Sequence, residues 1–136
     1  MASDRPLKIA LIRTPIIQPA HHVTSLRAVP SIGIAYINAA LTQAGHSVTM
    51  IDAPGEALFR FHKIPGTNLV VNGLSASEIC SRIPEDADLV GVSVMHANEW
   101  IYDREIIRAV TQKKLRWFLV HHDVVIARQL LKGIGG

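Results

Sequence analysis

Short apolar runs alternate along this chain with segments whose apolar residues recur at helical spacing. Residues 7–14, LKIALIRT, are rich in isoleucine and leucine and predict a buried strand. In residues 31–45 the apolar positions fall on one helical face, and Gly45 is suited to end the helix. Residues 46–52, HSVTMID, predict a second strand, so the chain begins as strand, helix and strand.

The alternation continues after a short interruption. Residues 53–73 contain two Pro-Gly or glycine-rich breaks and predict a small hairpin-like excursion. Residues 74–83 predict a helix that begins with a capping box, because Ser75 can accept from the backbone three residues on and Glu78 can reach back. The remaining elements are predicted as strand, helix, strand and helix, over residues 88–95, 98–114, 115–120 and 123–136.

Four strands that alternate with four helices predict an α/β fold built from parallel βαβ units. Because crossovers are right-handed, few topologies remain, and the spacing favours a three-layer, Rossmann-like or flavodoxin-like sheet. We expect about four parallel strands in the order 2-1-3-4, with helices on both faces, in a single domain over residues 1–136. In such a sheet, ligands bind outside the carboxyl ends of the first and third strands, where the winding reverses.

Composition excludes several classes of protein. The 136 residues are 49% hydrophobic and 18% charged, so the chain can bury a core and does not resemble a disordered protein. The formal charge of +3 comes without a dense run of lysine and arginine, and we therefore expect no nucleic-acid partner. The N-terminus lacks a signal peptide's apolar region, and no segment approaches the roughly 20 apolar residues of a membrane span. We expect a soluble, cytoplasmic protein with no membrane partner.

Known catalytic and metal-binding motifs do not occur in the sequence. No G-x-G-x-x-G follows the first strand, and there is no P-loop. Cys80 stands alone, which rules out an internal disulfide and favours a buried side chain. The histidine pairs at 21–22 and 121–122 are poorly arranged to chelate one metal, since adjacent side chains diverge. Glu99 and Asp103 lie four residues apart, which more often indicates a solvated helix face than an acid–base pair.

Polar residues follow the third predicted strand without a turn spacer. The segment MHANEW, residues 95–100, would flank the expected crevice together with RTP, residues 13–15. A simpler interpretation is that Asn98 caps the next helix and Glu99 suits the helix's positive end. The long segment 15–30, which mixes apolar and polar groups with little charge, predicts a binding loop over the crevice and a large amphipathic ligand.

Three stretches carry a family resemblance in combination: VPSIGIAYINAALTQAGHSVTMIDAPGEA, NGLSASEICSRIPEDADLVGVSVMHANEW and REIIRAV. They resemble the N-terminal cobalamin-binding domain of radical S-adenosylmethionine enzymes, a group that includes methyltransferases and the anaerobic oxidative cyclase of bacteriochlorophyll synthesis. The resemblance covers roughly residues 7–112. It implies a domain that lays the corrin ring across the carboxyl ends of the strands, with the nucleotide tail beside the sheet and the cobalt facing a separate catalytic barrel. The cofactor contacts that match by position are Arg13, Thr14, Pro15, Ser31, Ile32, Gly33, Ser93, Met95, Asn98 and Glu99.

The sequence departs from the family pattern at three points, and each changes what we expect of cofactor binding or catalysis. The D-x-H-x-x-G motif is absent, so we expect base-off cobalamin without a histidine ligand. After the fourth strand, His121, His122 and Asp123 replace the family's glycine pair, which could block the slot for the nucleotide tail. The chain ends at Gly136 without a fifth strand and without C-x-x-x-C-x-x-C, so we expect no iron–sulfur cluster, no catalytic residue and no radical chemistry by this chain alone.

The sequence thus favours a cobalamin-binding module that positions a base-off corrinoid for a radical S-adenosylmethionine catalytic domain or subunit. The main alternative is a flavodoxin-like domain, or a truncated gene product, that binds another metabolite or a protein and no cobalamin. A third hypothesis is that the chain is the donor half of a nucleotide-sugar glycosyltransferase. Without a fifth strand the sheet would expose an apolar edge, and we expect either marginal stability or a homodimer through that edge.

Overall fold

The computed structural model describes residues 5–22, 31–94 and 100–120. Within these ranges the chain forms seven β-strands, four α-helices and one 3₁₀ helix. The strands are β1 (Lys8–Arg13), β2 (Ile16–Pro19), β3 (Ser47–Asp52), β4 (Phe61–Lys63), β5 (Leu69–Asn72), β6 (Leu89–Ser93) and β7 (Arg116–Val120). The helices are the 3₁₀ helix (Ala20–His22), α1 (Ile32–Gln43), α2 (Ala53–Glu56), α3 (Ala76–Arg82) and α4 (Trp100–Gln112). The helix predicted over residues 123–136 lies outside the described residues.

Four parallel strands form the main sheet in the order β3-β1-β6-β7. The predicted α/β class and the parallel sheet of four strands are therefore confirmed. The described residues also form three short strands, β2, β4 and β5, that the predicted alternation of strands and helices did not include. The four strands of that alternation correspond, in chain order, to β1, β3, β6 and β7.

Alternate residues of these strands point to opposite faces of the sheet, and both faces are apolar because helices cover both. Ala10 and Ile12 of β1 belong to a buried cluster that includes residues of α3 and α4. Leu11 belongs to a second cluster on the other face, where Ile34 of α1 and Phe118 of β7 complete the packing. Because helices cover both faces of the sheet, polar side chains can gather at the ends of the strands.

The predicted helices 31–45 and 74–83 are observed with ends that differ by a few residues. Helix α1 begins after Ser31, and Gly45 follows its end with a φ of +96° that glycine adopts readily. Helix α3 has the predicted capping box: the Ser75 hydroxyl accepts from the backbone N–H of Glu78 at 3.2 Å, and the Glu78 carboxylate accepts from the backbone N–H of Ser75 at 3.3 Å. The local start signals of this helix were therefore sufficient to place it.

A second, antiparallel sheet in the order β2-β5-β4 corrects the prediction for the segment after β1. Strands β4 and β5 form the hairpin-like excursion that was expected within residues 53–73. Residues 16–19, predicted as part of a binding loop, instead form β2, and Ile17 pairs with Val71 of β5. The short stretch IIQP has no clear period of its own, so its strand identity depends on a partner distant in the sequence. Residues 23–30 of the predicted loop lie outside the described residues.

The small sheet adjoins the carboxyl end of the main sheet. Thr14 and Pro15 alone separate β1 from β2, and the Leu74 backbone N–H, just after β5, donates to the Ala53 carbonyl at 3.0 Å. Pro19, which has no N–H to donate, lies in β2 at the edge of its sheet, where proline is tolerated. Across the described parts of the chain, no helix has the length and apolar character needed to cross a membrane.

Candidate ligand-binding site

Three polar side chains share one row at the carboxyl ends of adjacent parallel strands. Arg13 ends β1 and is in register with Asp52 of β3 on one side and with Ser93 of β6 on the other. Since side chains alternate, this row lies on the same face as Leu11 and Met50, the face that α1 covers. Strands β1 and β6 are followed by α1 and α4, which lie on opposite faces, so the row is at the switch point of the sheet.

Arg13 and Asp52 form an ion pair across the row, with 3.3 Å between Nη1 of Arg13 and Oδ1 of Asp52. The Arg13 side chain is 13% exposed and the Asp52 side chain 39%. A guanidinium so far withdrawn from water needs a compensating charge, and Asp52 provides it. The same carboxylate oxygen accepts from the backbone N–H of Gly55 at 3.1 Å and thereby caps α2.

The sequence pattern did not single out Asp52 as a site residue. A signal for it existed, since an aspartate that ends a strand and precedes Ala-Pro-Gly is a good N-cap with proline in the first helical turn. Nothing local indicates that its carboxylate also meets Arg13, because the two residues are 39 positions apart. Only the parallel pairing of β1 with β3 brings them together.

Thr14 and Pro15, two of the predicted contacts, are buried behind this row. Thr14 is 6% exposed, and its hydroxyl donates to the backbone carbonyl of Ser93 at 3.0 Å. Pro15 is below 2% exposed. Thr14 therefore fastens the end of β1 to the end of β6, and both residues present little side-chain surface to a ligand.

The start of α1 holds three further predicted contacts, Ser31, Ile32 and Gly33. The Ser31 hydroxyl makes no capping hydrogen bond to the helix that it precedes, among the described residues. Ile32 is 70% exposed, and Tyr36, one turn later on the same side, is 74% exposed. All twelve residues of α1 are uncharged, although a solvated helix face usually carries charge. The outer face of α1 thus offers exposed apolar surface.

The other predicted contacts, Met95, Asn98 and Glu99, lie outside the described residues. Helix α4, which follows them, begins at Trp100, and this tryptophan is 43% exposed. Asp103 in the first turn of α4 is fully buried, so the prediction of a solvated face is wrong at this position. Helix α4 contacts α3 and β7, and four-residue spacing alone does not reveal which of its residues are covered.

The face of the sheet beneath α1 is filled by the protein's own side chains near the middle of β6. A Cβ at Gly91 would lie 2.5 Å from Cζ of Phe118 and 2.7 Å from Cδ2 of Leu11. The phenyl ring of Phe118, only 8% exposed, therefore occupies the space that a side chain at Gly91 would need. A ligand group could enter there only by displacing Phe118.

In the described part of the protein, clefts lie at the amino end of the main sheet, opposite the carboxyl-end row. One of about 190 Å³ is lined at the amino ends of β1 and β3 by Lys8, Ser47 and Thr49 and is flanked by Asp86, which pairs with Lys8. Another, of about 270 Å³, lies against Pro84 and Lys113. Neither cleft includes a residue of the carboxyl-end row.

In residues 5–22, 31–94 and 100–120, no three His, Cys, Asp or Glu side chains are grouped to hold a metal ion. The described histidines have other contacts: His46 accepts from the backbone N–H of Leu7 at 3.1 Å, and the His62 ring lies 6.1 Å from that of Tyr102. Protein-family models, curated proteins and solved structures were compared with the chain, and none of them matches it.

Proposed function

We propose that this chain is a corrinoid-binding module that positions base-off cobalamin for a separate catalytic domain or subunit. The observations that carry the proposal are the row of Asp52, Arg13 and Ser93 at the carboxyl ends of the strands and the exposed apolar side chains at the start of α1. A corrin is a broad disc with an apolar face and amide side chains around its rim. Such a ligand needs apolar surface next to a few well-placed hydrogen-bonding groups.

The chemistry of the donor set fits this ligand. Arg13 offers guanidinium N–H donors to amide carbonyls, and the Ser31 and Ser93 hydroxyls can donate or accept. Ile32 and Tyr36 offer apolar surface to one side of the ring. When bound, cobalamin supplies the cobalt chemistry of methyl transfer or of a related radical reaction, and the residues of this chain bind it, orient it and shield it from water.

A base-off state without a histidine ligand is part of the proposal. His46 lies before the amino end of β3, at the opposite end of the strand from Asp52, and the rings of His62 and His21 contact Tyr102 and Asn68. A bound-state spectrum with nitrogen coordination from the protein would contradict this feature of the proposal.

The proposed setting is a Rossmann-like, three-layer domain of a cytoplasmic protein that works with a radical S-adenosylmethionine catalytic partner. Its fold is supported by the burial of α1 on one face of the sheet and of α3 and α4 on the other. In the described sheet β7 is the outer strand beside β6, and we propose that this edge mediates homodimerisation. Light scattering should then report about twice the mass of a single chain, and a monodisperse monomer would contradict the dimer.

The test of function is an anaerobic titration of the purified chain with hydroxocobalamin, followed by desalting and visible absorption. We expect retained corrinoid with a base-off spectrum. Arg13→Gln should weaken binding by about tenfold, since it removes a charge-assisted hydrogen bond. Arg82→Gln is the matched control, because Arg82 pairs with Glu56 at the same 3.3 Å but away from the row. A chain that is folded by circular dichroism and retains no corrinoid would overturn the proposal.

The second candidate function is a metabolite- or protein-interaction domain that binds no cobalamin. The filled space above Gly91 favours it, since Phe118 and Leu11 occupy the region beneath α1 that a buried ligand group would need. Phe118→Ala opens this space. If neither the folded wild-type chain nor the folded Phe118→Ala variant retains corrinoid, the second candidate becomes the better supported one.

A further inference from the structure

Asp52 occupies a distinct place in the carboxyl-end row, because its carboxylate contacts both the start of a helix and the neighbouring arginine. Its Oδ1 accepts from the Gly55 N–H at 3.1 Å and lies 3.3 Å from Nη1 of Arg13. Gly55 leaves the necessary room, since a Cβ there would collide with the Asp52 carboxylate. The carboxylate is therefore fixed by the backbone of α2 and can in turn fix Arg13.

The anchored guanidinium has consequences for what it can bind. Arginine has five N–H donors in a rigid planar fork, and the contact with Asp52 engages the Nη1 end of Arg13. Holding one end sets the plane of the fork, which reduces the conformational entropy that a ligand must remove when it binds the other donors. The nearby negative charge also offsets the positive charge of Arg13, so a second anion gains less there than a neutral acceptor does.

We infer that Asp52 is a positioning residue: it orients Arg13 and selects a neutral carbonyl acceptor, such as a carboxamide, over an anion. The inference rests on the proposed function, since it names the ligand group that this end of the site takes. Asp52 itself acts through Arg13 and need not touch the ligand. Ser93, on the other side of Arg13 in the row, contributes a hydroxyl group and no charge.

The variant that tests the inference is Asp52→Asn. Asparagine caps helices about as well as aspartate, so the contact with the Gly55 N–H and the start of α2 should be retained. The negative charge beside Arg13 is lost. Glu56→Gln is the matched control, since Glu56 lies on α2 and pairs with Arg82 at the same 3.3 Å, outside the row.

The first measurement compares hydroxocobalamin with a cobalamin in which one rim carboxamide has been hydrolysed to a carboxylate. Wild-type protein and Glu56→Gln should prefer the amide form. Asp52→Asn should bind hydroxocobalamin about fivefold to tenfold more weakly and should lose or reverse the preference for the amide form. A merely structural role for Asp52 would change both affinities together and leave their ratio unchanged, which would overturn the inference.

The second measurement needs no ligand. In nuclear magnetic resonance spectra, the side-chain N–H signals of Arg13 should shift and broaden in Asp52→Asn and stay unchanged in Glu56→Gln. If Arg13 responds in this way but the wild-type chain binds no corrinoid, the positioning role stands and the proposed function fails. If corrinoid binds but neither Arg13 nor the amide preference responds to Asp52→Asn, the proposed function stands and the positioning role fails.

Discussion

At the scale of single residues, Gly91 shows how closely the chain is packed around β6. The ring of Phe118 and the side chain of Leu11 approach the glycine from neighbouring strands, so any added methyl group meets both. Gly33 is the opposite case, since among the described residues no atom beyond its chain neighbours and the adjoining backbone of α1 lies within 4 Å of the position that its Cβ would take. Packing therefore requires a glycine at position 91 and does not require one at position 33, and substitution can show this difference.

Gly91→Ala should destabilise the protein by about 1–3 kcal/mol, because overpacking forces Phe118 or Leu11 from its place. Urea denaturation monitored by circular dichroism measures the change. Gly33→Ala, in the first turn of α1, is the control and should be neutral or slightly stabilising, since alanine favours the helix. Equal effects of the two substitutions would contradict the packing at Gly91.

Glu78 should make part of the stability dependent on acid pH. Hydrogen bonds from the Arg60 side chain, then from the backbone and side chain of Ser75, lower the pKa of Glu78 from its ordinary 4.5 to about 2. Because the folded-state pKa is the lower one, the stabilisation is complete above pH 4.5 and is lost as the pH falls towards 2.

Glu78→Gln should therefore flatten the dependence of unfolding free energy on pH between about 4.5 and 2. Some dependence should persist, since contacts with Lys8 and Arg5 lower the pKa of Asp88 too. Denaturation series at several pH values provide the measurement. Glu105→Gln, on the exposed side of α4, serves as the control. If the unfolding free energies of the two variants depend on pH in the same way, Glu78 does not have the proposed role.

At the scale of elements, β2 shows how a segment with weak local preference can become a strand. Its Ile17 is 5% exposed and pairs with Val71, which is fully buried. The small sheet is held further by Asn72, whose Nδ2 donates to the carbonyls of Leu58 at 2.8 Å and Arg60 at 3.0 Å. These contacts make the segment after β1 part of the packed structure and not a free covering loop.

Ile17→Ala should cost about 2–5 kcal/mol of unfolding free energy, as a buried isoleucine does, while Gln18→Ala should change it by less than about 0.5 kcal/mol. Amide hydrogen exchange should also show protection at Ile17 that depends on pairing with β5. Small and equal effects of both substitutions, with rapid exchange, would mean that residues 16–19 behave as a loop.

At the scale of the whole molecule, the two faces of the sheet differ in what they can offer a ligand. Beneath α1 the space near Gly91 is filled by Phe118, while the Asp52 side chain of the carboxyl-end row and the outer face of α1 are exposed. A corrinoid bound by this chain would then rest on the strand ends, and its nucleotide tail would gain little from burial beside the sheet.

The wild-type chain should therefore bind cobinamide, which lacks the nucleotide tail, within about threefold of its affinity for hydroxocobalamin. Parallel absorbance titrations give both affinities. In a folded Phe118→Ala variant the opened space should favour hydroxocobalamin over cobinamide. A preference of more than about tenfold for hydroxocobalamin in the wild-type chain would show that the tail is bound elsewhere on the protein.

The sequence by itself determined the elements whose signals are local. Apolar runs placed the four parallel strands, helical spacing placed α1 and α4, and the capping box placed the start of α3 from residues only three apart. The strand pattern also placed Arg13 and Thr14 at the end of β1, beside the end of β6, because parallel strands end at the same side of a sheet, while Ser93 was expected from the family resemblance.

Only the tertiary structure decided the contacts between residues far apart in the chain. The pairing of β2 with β5, the ion pair of Asp52 with Arg13 and the ring of Phe118 over Gly91 each depend on register and packing. The physical reason is that periodicity and capping reflect interactions within a few residues. Which distant side chain fills a given space depends on the free energy of the whole packed core, and no local pattern encodes it.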